Sequence, residues 1–516
     1  MSHRPNVLCF VTDQHRADHL SCYGNTILRT PNIDRIAQSG VRFERAYVNN
    51  PLCMPGRSTW FTGLTPRGHG VRTNGIPLRQ DLPTVPGALT EAGYRTHSVG
   101  KLHLSNFNSP NGIDPKTIDP QRFAESRPLW ESGRVQGLPQ PYYGIQTVEF
   151  VGGHGSGVFG DYLNWLRREH PDAVRLLSPE AGMPSPTGAE QSWTMALPQE
   201  LHFNRWVADR SIAFLERQAD AQEPFFLWCS FPDPHHPFCP PEPWASMYDP
   251  ASIPLPARRA GELDDLAPFY REIYESAMQL SGRREPTRVG DEQIREIIAR
   301  TYGMISFIDQ EVGRVLDRLE SLGLRENTIV IFMADHGDMM GDHWLINKGP
   351  FHFEGLLRVP FIWSWPGHFP QGVATSGLAS LLDFAPTLLD LCGVPIPEGE
   401  LPAFPEAPLH LPPWPGASLA PQLRGECQSV QDSVIVENDE DYLGLRLRTL
   451  ITQRYKLTVY AGRPYGELFD LQEDPDELHN LWGDPAHASV RAELQARLLE
   501  RLIMTDSVLP RRLAHA

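Results

Sequence analysis

Asn6-Val7-Leu8-Cys9-Phe10-Val11-Thr12-Asp13-Gln14 opens the chain with a continuous apolar run that stops at an acid and an amide. A short run of this kind, rich in β-branched and aromatic residues, reads as a buried strand with polar groups at its C-terminal end. The pattern recurs along the chain. Strands are predicted over 94–99, 225–230 and 328–333. They lead directly into Gly100-Lys101-Leu102-His103, Asp233-Pro234-His235-His236 and Asp335-His336-Gly337-Asp338. Helices are expected between them, at 31–39 after Pro31, at 83–93 before Gly93, and at 292–322 before Gly323. Alternating strands and helices define an α/β fold. Open α/β sheets gather ligands at the C-terminal edge, where loops from several strands converge.

The 516 residues suffice for a large domain and a smaller one. Hydrophobic content of 41% and charged content of 21% belong to an ordinary globular protein. The net charge of -17 disfavours nucleic acid and anionic membranes as partners. An anionic substrate would therefore need locally clustered cations. Seven scattered cysteines, without a CxxC pair, argue against a disulfide framework. No basic-plus-apolar leader precedes Asn6, and no apolar run nears the roughly 20 residues that span a bilayer. A cytoplasmic protein is expected.

The catalytic region is expected over 1–396. Within it, 107–200 is Gly- and Pro-rich with little periodicity, and reads as an insertion that covers the site or forms a subunit contact. A second insertion, 256–296, carries charges of both signs and reads as a solvated helical excursion. Residues 397–432 read as a Pro-rich linker and 433–516 as a small α+β subdomain, with strands at 433–437, 446–451 and 455–460 and a helix at 486–503. Long insertions and Pro-rich arms suggest a homo-oligomer, a dimer or tetramer.

Chemistry concentrates at the strand ends. Asp13, Gln14, Asp335 and His336 form a candidate hard-cation site; oxygen ligands suit Ca²⁺, Mg²⁺ or Mn²⁺, and an imidazole shifts the preference towards Mn²⁺. Taken singly, Asp13 reads equally as a cap and Asp335-His336-Gly337 as a polar loop. Arg57, Lys101, His103, His235 and Lys348 are the cations and imidazoles that an anionic transition state and a leaving oxygen need. Most of the 19 histidines must be bystanders. His15, His19, His69, His97 and His154 receive no role, and His236 is left open beside His235. Cys53 stands in Leu52-Cys53-Met54-Pro55-Gly56-Arg57-Ser58-Thr59. A Cys-x5-Arg phosphatase loop would need arginine at 59, where Thr59 stands. As a residue it reads either as a buried structural cysteine or as a reactive group.

Their joint order resolves these readings. V-T-D-Q-H, P-L-C-M-P-G-R-S-T, G-K-L-H-L, D-P-H-H-P-F, A-D-H-G-D-M-M-G, Lys348, L-L-D-F-A-P-T-L-L-D-L-C-G and E-L-F-D-L-Q-E-D-P-D-E-L-H-N-L follow one another in the chain. This series resembles the type I sulfatase family of the alkaline phosphatase superfamily, from about residue 5 to residue 482. The resemblance implies an alkaline-phosphatase-like α/β/α sandwich with a large mixed sheet. It implies that Cys53 is oxidised to formylglycine by a maturation enzyme, and that its hydrated aldehyde attacks a small-molecule sulfate ester. Arg57 would support that group. Asp13, Gln14, Asp335, His336 and the residue at 53 would hold one divalent metal, Mn²⁺ or Ca²⁺. Lys101, His103, His235 and Lys348 would bind the ester and handle protons, with Asn74 a further donor. Gly56 departs from the Ser or Ala common in the family. The second acid of the N-terminal pair is the amide Gln14, and His336 stands where many sulfatases have Asn. Phosphonate monoester and phosphodiester hydrolases with the same formylglycine share these two replacements. The retained G-K-x-H favours an arylsulfatase-like enzyme, with phosphate and phosphonate esters as side substrates.

Overall fold

The computed structural model describes residues 4–110, 113–275, 279–280, 283–284, 289–396 and 414–506. The prolines between 397 and 413, parts of the 256–296 excursion and the end of the expected C-terminal subdomain lie outside the described residues.

Nine strands form the main sheet: β1 Asn6–Thr12, β2 Val41–Phe43, β3 Arg95–Gly100, β4 Thr147–Gly152, β5 Phe159–Gly160, β6 Phe225–Ser230, β7 Thr328–Ala334, β8 Phe361–Ser364 and β9 Val373–Thr375. Their spatial order is β9-β2-β8-β7-β1-β6-β3-β4-β5. The five central strands, β7 to β4, run parallel, while β8 and β5 pair antiparallel with β7 and β4. β1 shows why its apolar run is unbroken. Val7, Cys9 and Val11 enter the core on one face, and Leu8 and Phe10 enter the core on the other. Each side chain fully withdrawn from water there contributes about 1.5–3 kcal/mol. Helices Phe203–Gln218 and Asp291–Ser321 cover the second face, while Cys53–Thr62 and Phe384–Leu391 pack on the first.

Register brings the strand ends together. Thr12 pairs with Ala334, so Asp13 and Asp335 leave the sheet side by side. Val11 and Gly100 both pair with Ser230, which sets Lys101 and the 233–236 turn beside them. Gly100 has φ +100°, and a Cβ there would meet the Ser230 carbonyl oxygen at 1.8 Å. Only glycine fits this crossing.

A second, four-stranded antiparallel sheet follows: β10 Ser433–Glu440, β11 Leu445–Thr452, β12 Tyr455–Tyr460 and β13 Gly466–Asp470, backed by helix Ala488–Met504. β13 contains the E-L-F-D string and adds a fourth strand to the three expected. β10 also grips the segment before Cys53: Glu437 N donates to Asn49 O, and Asn50 Nδ2 donates to Glu437 O at 2.6 Å.

Two expectations need correction. The 107–200 stretch is not wholly an insertion, because β4 and β5 within it complete the main sheet. The 256–296 stretch is not simply solvated either. Phe269, Tyr270 and Ile273 are buried in a core shared with Tyr460 and Phe469 of the C-terminal sheet. Its charges mask an apolar stripe at helical spacing, which wedges against that sheet. Trp414, Leu419 and Leu423, in the middle of the expected 397–432 linker, join the core beneath the main sheet.

Candidate active site

Cys53 is the first residue of helix Cys53–Thr62, all ten residues of which are buried. Asn74 Oδ1 accepts from Met54 N at 3.0 Å, so one otherwise orphaned amide of the first turn is capped from outside. The carbonyl of Asn74 is thus committed to the helix. The open N-terminal end favours negative charge beside position 53. Gly56 lies against the Asp335 carbonyl oxygen, 3.1 Å from where a Cβ would stand. Glycine lets this helix lie against the Asp335 strand end without displacing it.

Arg57, one turn on, ties the strand ends to the helix. Its Nε donates to Asp335 Oδ2 at 2.7 Å, and its Nη1 donates to Lys101 O at 3.1 Å and Ser230 Oγ at 3.2 Å. Its Nη2 lies 3.7 Å from Asp13 Oδ2 and has no hydrogen-bond partner. Lys101 is fully buried and donates to Asp13 Oδ2 and to His154 Nε2, the latter at 2.7 Å. Lys348 arrives from the opposite side, with Nζ 3.0 Å from Cys53 Sγ, 2.8 Å from His235 Nε2 and 3.0 Å from His336 Nε2.

The electrostatics follow from this crowding. Burial pushes the Asp13 carboxyl up, but Lys101, His235, His154 and Arg57 overwhelm it and hold it well below the usual range. Burial and Asp13 push the Cys53 thiol up, yet Lys101, Lys348 and His336 bring it below its ordinary value. Burial drives His103 and His235 well down and His154 to about 3, with neighbouring cations adding to the effect, so these imidazoles are neutral. Lysine donation to Nε2 of His154 and of His235 then places their N–H on Nδ1. For His235 that hydrogen meets the His236 carbonyl oxygen.

Asp13, Asp335, His336 and Cys53 present ligand atoms within 4.8 Å of one another. Two carboxylates, one imidazole and the group at 53 fit a divalent cation that accepts oxygen and nitrogen. Gln14 adds a buried Oε1 without a partner, while its Nε2 turns to Asp338 and, at 3.0 Å, to His236 Nδ1. Asp338 joins the site's rim in this way, a role not anticipated.

The structure thus brings Asp13, Arg57, Lys101, His235, Asp335, His336 and Lys348 around Cys53. His103 lies behind Lys101, stacked on Phe107 at 3.8 Å, with Nδ1 buried and unpaired. His154, given no role above, is a correction. It stacks on His235 at 3.6 Å and 5° and holds Lys101. Its Gly-rich surroundings carried no periodicity to flag it. Its place after β4 brings it to the same sheet edge as the other strand-end residues.

A mixed α/β sheet thus gathers two carboxylates, several imidazoles and two lysines at one edge. A family model described as Sulfatase matches residues 5–394, and one described as N-sulphoglucosamine sulphohydrolase, C-terminal, matches 414–503. The chain belongs to the sulfatase family. It is 28% identical to an arylsulfatase of Clostridium perfringens, covering 93% of this chain and 90% of the relative. It is 25% identical to an N-acetylglucosamine-6-O-sulfatase of Bacteroides thetaiotaomicron, covering 96% and 86%. The solved phosphonate monoester hydrolase of Agrobacterium radiobacter superposes with a TM-score of 0.78 at 28% identity, covering 97% of this chain and 96% of that one.

Proposed function

We propose that the chain hydrolyses sulfate monoesters at Cys53, after its conversion to formylglycine, with one divalent metal, Mn²⁺ or Ca²⁺. The observation that carries this reading is the convergence of Lys101 and Lys348 from different segments on the Cys53–Asp13 pair. When present, the metal would polarise the ester oxygens and the hydrated aldehyde would supply an oxygen nucleophile. Asp13, Gln14, Asp335 and His336 would hold the metal. Arg57 stays paired with Asp335 and keeps the strand ends and the helix in register.

Lys101 and Lys348 stabilise the charge that grows on the equatorial oxygens. Lys348 is the proton donor to the leaving oxygen. His235 is neutral and accepts from it at 2.8 Å, so His235 orients that ammonium instead of donating itself. Release of sulfate needs a second proton transfer: His103, neutral with an unpaired Nδ1, would take the proton of the remaining diol hydroxyl as the carbon–oxygen bond to sulfate breaks and the aldehyde re-forms. Asn74 supports the helix that carries position 53.

The likeness to the phosphonate monoester hydrolase favours a second reading, a phosphonate or phosphodiester hydrolase with the same machinery. A panel of aryl sulfate, phosphodiester and phosphonate esters separates the two, with the highest kcat/KM expected on the sulfate. A clear preference for the phosphonate would overturn the first reading. The mass of the tryptic peptide that contains residue 53 reports conversion to the aldehyde. Dialysis against a chelator is expected to lower turnover about 10²-fold, with recovery on Mn²⁺ or Ca²⁺.

A further inference from the structure

Glu125 belongs to the 107–200 stretch, and none of the steps above uses it. It is 0% exposed, and its four hydrogen-bond donors are all neutral. His103 N donates to Oε2 at 2.7 Å. Leu104 N, Ser105 N and Tyr142 Oη donate to Oε1 at 2.9, 3.1 and 3.0 Å. Three successive amides aimed at one carboxylate form an anion-binding nest, filled here by a side chain of the same protein. A buried carboxylate without a cation is costly to keep unless such donors meet it. Burial does push Glu125 up, to about 7, against the pull of the amides and Tyr142.

The nest is the turn that carries His103. His103 has φ +61°, a left-handed conformation that strains a residue with a Cβ. Such strain persists where surrounding contacts over-determine the backbone. The turn lays the imidazole flat on Phe107, and Phe107 in turn faces the Lys101 ammonium at 5.6 Å. Glu125 is the group that bonds every amide of the turn from 103 to 105.

We infer that Glu125 is a positioning residue for turnover of the ester, holding the 103–105 amides so that the His103 imidazole stays in its left-handed turn for the release step. The inference rests on the role given above to His103. It makes part of the 107–200 stretch a working element of the chemistry.

A double-mutant cycle tests it. The parent, Glu125→Gln, His103→Ala and the double variant are compared on whichever ester the parent turns over fastest, with thermal midpoints recorded for each. Glu125→Gln is expected to lower kcat about 10²-fold, because misplacement of a reacting group by about 1 Å has that effect. KM is expected to stay within about threefold, since the lysines that bind the ester are untouched. In the His103→Ala background the same substitution is expected to cost less than about threefold, because no imidazole remains to be placed. An additive cycle, or a Glu125→Gln variant within about twofold of the parent, overturns the inference. If Glu125→Gln does not fold, Glu125→Asp is run through the same cycle. If neither folds, Glu125 is structural and the inference fails. A parent that prefers a phosphonate overturns the sulfate reading and leaves this cycle intact; a parent inactive on every ester overturns both.

Discussion

Two clusters in this molecule bury lysine among carboxylates, and they are built to opposite ends. Lys456, on β12, is fully buried against Glu354 of the main domain at 3.2 Å and against Glu477. Glu477 Oε2 also accepts from Glu354 N at 2.7 Å. That cluster closes on itself and clasps the C-terminal sheet to the main domain. Around Cys53, by contrast, Arg57, Lys101 and Lys348 face Asp13 and Asp335, and Gln14 Oε1 and Arg57 Nη2 are buried without partners. Buried polar atoms are nearly always paired. Gln14 Oε1 and Arg57 Nη2 lie beside the carboxylates, where the ester and metal of the proposed reading would complete them. The clasp spends its charge on the fold, while in the proposed reading the strand-end cluster keeps its charge for an ester and a metal.

The comparison breaks if Cys53 is dispensable. Cys53→Ala is expected to lower kcat/KM at least about 10⁴-fold with the thermal midpoint nearly unchanged. Equal turnover by this variant and the parent would make the strand-end cluster structural too. Lys456→Met is expected to do the reverse. Removing one partner of a buried ion cluster costs about 3–5 kcal/mol. The urea midpoint should fall accordingly, with kcat of the remaining folded enzyme within about twofold of the parent. Lys348→Ala is expected to lower kcat about 10³-fold, the size of losing one transition-state donor. That loss should be smallest for esters with good leaving groups, which need little protonation. A uniform loss across leaving groups would remove Lys348 from the proton-donor role.

The smallest effect concerns pH. Burial pushes Glu467, on β13, up to about 7, partly offset by the Tyr460 and Tyr270 hydroxyls and by Lys456. Between its ordinary value near 4.5 and 7, the folded state keeps a proton that the unfolded chain has lost. Stability contributed by this group is therefore full below about 4.5 and falls as pH rises towards 7, by up to about 3 kcal/mol. Glu467→Gln is expected to flatten that slope in urea melts taken across the window. An unchanged slope would show that the carboxyl is ionised in the fold.

Much of this was legible before any coordinates. Apolar runs ending in Asp13, Lys101, Asp233 and Asp335 announced both the strands and the chemistry, because a buried parallel strand has nowhere polar to go until it leaves the sheet. His154 and Glu125 were not legible. Neither follows a run with a clear period, and each acts through a partner distant in sequence. β13 was hidden because Gly466–Asp470 is short and interrupted by charge. The stripe Phe269, Tyr270 and Ile273 was masked by the charges around it, and only the C-terminal sheet shows what it is for.

The sequence by itself determined the α/β class and the strand-end placement of the polar groups, seven of which the fold gathers around Cys53. These follow from local periodicity and residue chemistry, which no distant contact is needed to read. The tertiary structure alone decided which of those groups touch, that His154 stacks on His235 and bonds Lys101, and that Glu125 bonds the amides of the His103 turn. Strand register and burial set those relations. They depend on pairings such as Thr12 with Ala334 and Gly100 with Ser230, which join segments that the linear chain keeps far apart.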